Sequence, residues 1–81
     1  MLHFIGIDPG TNGDQCPAVW AEPEAGEAGE MILQGWRADD SLLSQTQANS
    51  PLAPNEAVIR IPARMIPLIR QACDTLEHAH A

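Results

Sequence analysis

Ile61-Pro62-Ala63-Arg64-Met65-Ile66-Pro67-Leu68-Ile69-Arg70-Gln71-Ala72-Cys73-Asp74-Thr75-Leu76-Glu77-His78-Ala79 decides how the chain folds. At 100° per residue, Met65, Ile66, Leu68, Ile69, Ala72, Cys73, Leu76 and Ala79 fall on one side, and Arg64, Arg70, Gln71, Asp74, Thr75, Glu77 and His78 on the other. The pattern predicts an amphipathic helix over 63–79, with Cys73 in the core beside Ile69 and Leu76. Pro62 suits the first helical position, where its missing N–H is no loss. Pro67 lies inside the run, where proline removes a hydrogen bond and crowds the carbonyl four residues back. The regular helix therefore either begins near Met65 or kinks at Pro67. Its apolar face must be covered, and the rest of the chain has to supply a sheet to do so.

The residues upstream read as that sheet. Glu56-Ala57-Val58-Ile59-Arg60-Ile61 places Ala57, Ile59 and Ile61 on one face of a strand. Before it, Asn49 to Asn55 is a loop, and Asp39-Asp40-Ser41 offers capping oxygens to a two-turn helix over Leu42–Ala48. Glu30–Arg37 and Cys16–Ala21 are apolar runs joined by the acidic, Gly-rich stretch Glu22–Gly29, and together they read as one hairpin. Pro17 belongs at the strand start or on an edge because it cannot donate to a ladder. This arrangement sets Trp20 and Trp36 on facing strands as a cross-strand aromatic pair. Leu2–Ile7 forms the first strand and stops at the turn-rich stretch Asp8-Pro9-Gly10-Thr11-Asn12-Gly13-Asp14. The expectation is one α+β domain over 1–81: a small antiparallel sheet of about four strands packed by one C-terminal amphipathic helix.

Composition narrows what such a domain can do. Chains of 81 residues bury only about 60% of the surface they expose when unfolded, so there is room for one core. The longest apolar run falls far short of the ~20 residues that a membrane-spanning helix needs. The start, Met1 to Asp8, has neither a basic segment nor a long apolar one, which leaves the cytoplasm as the expected compartment. Four Arg and no Lys against eleven acids give a net charge of -7, and phosphate neutralisation by Lys and Arg supplies most nucleic-acid affinity, so direct nucleic-acid binding is not expected. The absence of Lys and Tyr with abundant Ala, Gly and Pro is the usage of GC-rich, actinobacterial coding sequence. A small domain with a long apolar helix face also gains missing burial by pairing with itself, which makes a homodimer an expectation.

No reaction centre can be assembled from the residues. Cys16 and Cys73 lack the close spacing of a metal knuckle or redox motif and read as buried apolar side chains. His3, His78 and His80 have no ligand spacing with them, so no metal is assigned. No nucleophile has a base at a recognisable spacing, so the chain is read as non-enzymatic, without catalytic residues or cofactor. A tryptophan left exposed marks a binding face. Trp20 and Trp36, with the connection acids Glu22, Glu24, Glu27 and Glu30, are accordingly the candidate partner-binding residues.

Two resemblances bear on function. Gly6-Ile7-Asp8-Pro9-Gly10-Thr11 resembles the first strand of Holliday-junction resolvases and other ribonuclease H-like nucleases, which implies that Asp8 helps hold Mg2+. A two-metal site needs further carboxylates to clamp both oxygens of the phosphodiester, and this chain ends before the strands that would bring them. The other reading of Asp8-Pro9-Gly10 is a tight strand exit, with the carboxylate accepting from backbone two residues on. More broadly, Gly10 to Cys16, two strands, then Ala57-Val58-Ile59-Arg60-Ile61-Pro62-Ala63-Arg64-Met65 running into a helix is similar to the small acidic actinobacterial proteins related to BldB. Those are encoded beside helix-turn-helix transcription regulators. The similarity covers about residues 10 to 75; the Arg-Asp-Ser element of those proteins is represented by Trp36-Arg37-Ala38-Asp39-Asp40-Ser41, and their helix aromatic by Met65 or Ile66. It implies a regulatory protein-binding module whose acidic surface complements a basic DNA-binding regulator. The alternative is a degenerate ribonuclease H-like fragment or nuclease accessory protein.

Overall fold

A computed structural model describes residues 1–10 and 16–79. In chain order the elements are β1 (His3–Ile7), β2 (Ala18–Glu22), β3 (Glu30–Gln34), β4 (Trp36–Arg37), α1 (Asp40–Asn49), β5 (Ile59–Arg60), a 3-10 turn (Ala63–Met65) and α2 (Ile66–Ala79). The class is α+β, as the sequence predicts, with the C-terminal helix packed on a sheet. The strands divide between two antiparallel sheets, β1-β2-β3 and β4-β5.

Gly35 causes that division. A Cβ at this position would lie 2.6 Å from the Arg60 carbonyl oxygen and 2.7 Å from Ile61 Cγ2, so the backbone comes closer to β5 than any side chain permits. The run that reads as one strand over Glu30–Arg37 is cut there. Its first part pairs with β2 (Val19 opposite Leu33, Trp20 opposite Ile32) and its second with β5 (Trp36 opposite Arg60, Arg37 opposite Ile59). The predicted Trp20–Trp36 pair is therefore not formed. Trp20 meets the Phe4 ring at 5.9 Å instead, and the Arg60 guanidinium lies 5.9 Å from the Trp36 ring.

The core lies between α2 and one face of the three-stranded sheet. Val19, Met65 and Ala72 are fully buried, with Ile5, Met31, Leu68 and Ile69 packed against them. A bulge between Phe4 and Gly6 breaks the β1–β2 register. Gly6 then faces α2 closely enough that a Cβ would stand 2.6 Å from Leu68 Cδ2. The 3-10 turn resolves the Pro67 problem. With the regular helix starting at Ile66, Pro67 is its second residue, within the first turn, where backbone N–H groups have no intrahelical acceptor to lose. The tighter turn also resets the phase of the apolar stripe. Ile66 and Ala79, assigned to the buried side from periodicity, are exposed; Cys73, expected in the core, is half-buried at its flank, and Ala72 sits at its centre. No helix among the described residues is long and apolar enough to cross a membrane.

Candidate functional site

Strand alternation turns Val19 and Ala21 toward α2 and Trp20 away from it. Across the outward face, Phe4, Trp20 and Ile32 form one cross-strand row, and Ile7, Ala18 and Gln34 the next. These rows carry no charge. Phe4 is 61% exposed and Ile7 49%. Beside them, β4, α1, the following loop and β5 rise to enclose a groove of about 770 Å³, lined by Trp20 and Ile32 from the sheet and by Leu43, Leu52, Val58 and Ile59 opposite. Local hydrogen bonds position this second wall. The Asp39 carboxylate caps α1 by accepting from the Leu42 N–H at 2.8 Å, and Glu56 closes its loop by accepting from the Ala53 N–H at 2.9 Å. α1 itself buries no residue.

The amount of uncovered surface is large for the size. A compact monomer of 8.7 kDa has an accessible area of roughly 4,700 Å², whereas this one has 5928 Å². Its radius of gyration, 14.1 Å, likewise exceeds the ~12 Å of a compact chain of this length. The excess, about 1,200 Å², is larger than the ~800 Å² that one partner contributes to a standard interface.

One end of the apolar region is acidic. At the β2–β3 connection stand Glu22, Glu24, Glu27 and Glu30. The amino terminus of Met1 reaches two of them, donating to Glu22 Oε1 at 3.0 Å and Glu24 Oε1 at 2.9 Å. Those bonds hold the amine above its ordinary value of 8.0 and, with the Glu24 backbone N–H, hold Glu22 below 4.5. Beside the second wall, Glu56 lines the groove. Arg37 is the one cation among the described residues lining the groove.

Of the residues singled out from sequence, Trp20 enters the groove. Trp36 is on the opposite face of the β4–β5 ribbon from Arg37, against Arg60, and is 38% exposed. The four glutamates stand at one end of the sheet. Sequence reasoning missed Leu43, Leu52 and Ile59. The available signal was large apolar residues in a short helix and a Pro-flanked loop that have nothing of their own to bury.

Asp8 has a different setting. It is 2% exposed, and its carboxylate accepts from the Gly10 N–H at 2.9 Å, the strand-exit turn expected from sequence. It also receives Arg64 through two bonds, Nε to Oδ1 at 2.6 Å and Nη2 to Oδ2 at 2.7 Å. This contact raises the Arg64 pKa further. It ties the end of β1 to the turn that starts α2. Gly10 is needed for the approach, because a Cβ there would lie 2.4 Å from Arg64 Nε. Among the described residues no three His, Cys, Asp or Glu side chains gather as a metal site. Cys16 is buried, Cys73 half-buried, and no disulfide joins them. His80 and the turn Thr11-Asn12-Gly13-Asp14, part of the Gly-rich stretch that ends at Cys16, lie outside the described residues. Set against known proteins, the chain matches no protein-family model, no curated protein and no solved structure.

Proposed function

We propose that this protein is a non-enzymatic regulatory protein-binding module whose partner is a basic, DNA-binding regulator of the helix-turn-helix class. The observation that carries the reading is the groove and the uncovered sheet face that continues it, Phe4, Ile7, Trp20 and Ile32, on a chain with more exposed area than a compact monomer of its mass. Contiguous exposed apolar surface rimmed by charge is the signature of protein–protein contact. The net charge of -7 supports a cationic partner and opposes direct contact with phosphate. The similarity of residues 10 to 75 to proteins related to BldB supports the regulator class. The ribonuclease H-like alternative rests on Asp8, and the Arg64 guanidinium spanning both of its oxygens favours a structural role for that carboxylate.

Co-expression with helix-turn-helix regulators encoded next to this protein, followed by affinity capture, tests the reading. A complex is expected, and isolated protein should pass through a DNA column at physiological salt. Failure to capture any such regulator, or retention on DNA, removes the basis for it.

A further inference from the structure

Resting on that reading, we infer that the partner is held by strand addition: an extended segment of about five residues, apolar at alternate positions, pairs with the free edge of β3. The strand order β1-β2-β3 leaves β3 paired on one side, and no strand among the described residues pairs with its other side. The groove runs along that edge. Successive side chains of a strand point to opposite faces, so a groove over one face meets every second residue; this one is lined by Ile32, Leu33, Gln34 and Gly35 in succession. Leu33 lies opposite Val19, which is fully buried, yet is itself 38% exposed, so the edge is uncovered on the core side as well.

A sheet edge presents a row of unpaired N–H and C=O groups, and natural proteins blunt it with a bulge, Pro or Lys. The β1 edge has its bulge between Phe4 and Gly6. β3 has none of these devices. Its register with β2 is unbroken from Glu30 to Gln34, and its one charge, Glu30, stands at the first position. Gln34 Nε2 donates to the Cys16 carbonyl at 2.7 Å, which fixes the other end. Such an edge is a preformed template for one more strand.

The volume favours a single strand over the other occupants. A strand in a sheet takes about 4.8 Å sideways, about 10 Å through the sheet and about 3.3 Å along, roughly 160 Å³ per residue. The groove of about 770 Å³ therefore holds about five residues, the length of β3. A helix about 10 Å across would fit under two turns, too few to anchor at i, i+4 and i+7. A second copy pairing through its own β3 would bring its β2 alongside, two strands in the space of one, against the wall of Leu43, Leu52 and Val58. The side chains that extend the uncharged row of Phe4, Trp20 and Ile32 must be apolar.

The probes are short synthetic peptides with a core of alternating valine and threonine and a lysine at each end. One is unmodified, one has the valine backbone nitrogens methylated, and one has the threonine nitrogens methylated. Alternate N–H groups of a strand point to opposite edges, so one methylated peptide loses its bonds to β3 and the other keeps them. Followed by amide shifts of the labelled protein, one should bind at least about tenfold more weakly than the unmodified peptide and the other within about twofold of it. Amide exchange in β3 should slow at least about tenfold with the unmodified peptide bound. No binding of that peptide at about 1 mM, equal affinities of the two methylated peptides, or unchanged exchange in β3 overturns the inference. So does a sedimentation mass of twice 8.7 kDa with β3 already protected in the absence of peptide, since a second copy would then fill the edge. Regulator capture separates the two levels. A regulator captured as well with saturating unmodified peptide as without it refutes the strand site and leaves the regulatory reading standing. Peptide binding at β3 without capture of any regulator supports the strand site and removes the regulatory reading.

Discussion

Arg64 is 47% exposed, yet the carboxylate it holds is fully covered. Removing the guanidinium takes from the buried Asp8 carboxylate the cation that donates to both of its oxygens, and losing the cation of a pair with one buried partner is more harmful than losing a surface pair. Arg64→Ala should therefore lower the thermal midpoint by several degrees, while Arg70→Ala, on the exposed side of α2, should leave it nearly unchanged; equal midpoints for the two variants would show that the contact contributes nothing. The amino terminus gives a second prediction at this scale. Its pKa is raised above 8.0, so its bonds to Glu22 and Glu24 are complete below pH 8 and are lost as pH rises through the raised value. Glu22 is lowered below 4.5, so its share is complete above that pH and is lost as pH falls through the lowered value. Amide shifts of residues 22–24 should be flat between about pH 5 and 8 and move on either side, with little change in global stability because the amine and Glu24 are exposed. The Asp8-Pro9-Gly10 turn was legible in the sequence because its bond spans two residues. Arg64 was not, since its acceptor is 56 positions away and nothing in either local stretch points to the other.

Between residue and molecule, Gly35 governs which strands pair. Gly35→Val would drive side-chain atoms into the Arg60 carbonyl and Ile61, and the backbone cannot yield without opening the β4–β5 ladder. The substitution should cost about 2 kcal/mol in denaturant unfolding, and it should remove the hydrogen-exchange protection of Ile59 and Arg60 while leaving β1-β2-β3 protected. Unchanged protection at β5 would refute this account of the split. Apolar runs located β1, β2, β3 and α2, and placed β5 inside a longer strand over Glu56–Ile61 of which Ile59–Arg60 pair. They could not divide Glu30–Arg37 between two sheets, because Met31–Leu33 are apolar without alternation and nothing in the pattern assigns Trp36 and Arg37 to a different partner strand. The same blindness to backbone approach paired Trp20 with Trp36. Phase in α2 failed by one residue at Cys73, for the 3-10 turn before Ile66 is invisible to a 100° wheel.

Across the whole molecule, the proposed function has charge set how a partner arrives and apolar area how long it stays. Association with a cationic partner should slow markedly from low to physiological salt, with a smaller change in dissociation. Neutralising Glu27 and Glu30 together should reduce the association rate in the same direction. Rates insensitive to salt would disprove electrostatic steering. The acidic balance was readable by counting residues. The groove was not, because Trp20, Leu43, Leu52 and Ile59 come from four separate stretches that line it together.

The β4–β5 pairing is slender: two residues from each strand close the segment 36–60 on itself, and α1 buries nothing. Such a segment can detach as a subglobal unit at a lower free energy than the sheet–helix core requires to unfold. Occupied and empty forms would then differ in dynamics more than in shape. A bound partner bridging both walls would close this local opening, protecting from proteases a stretch that the empty protein leaves open to nicking.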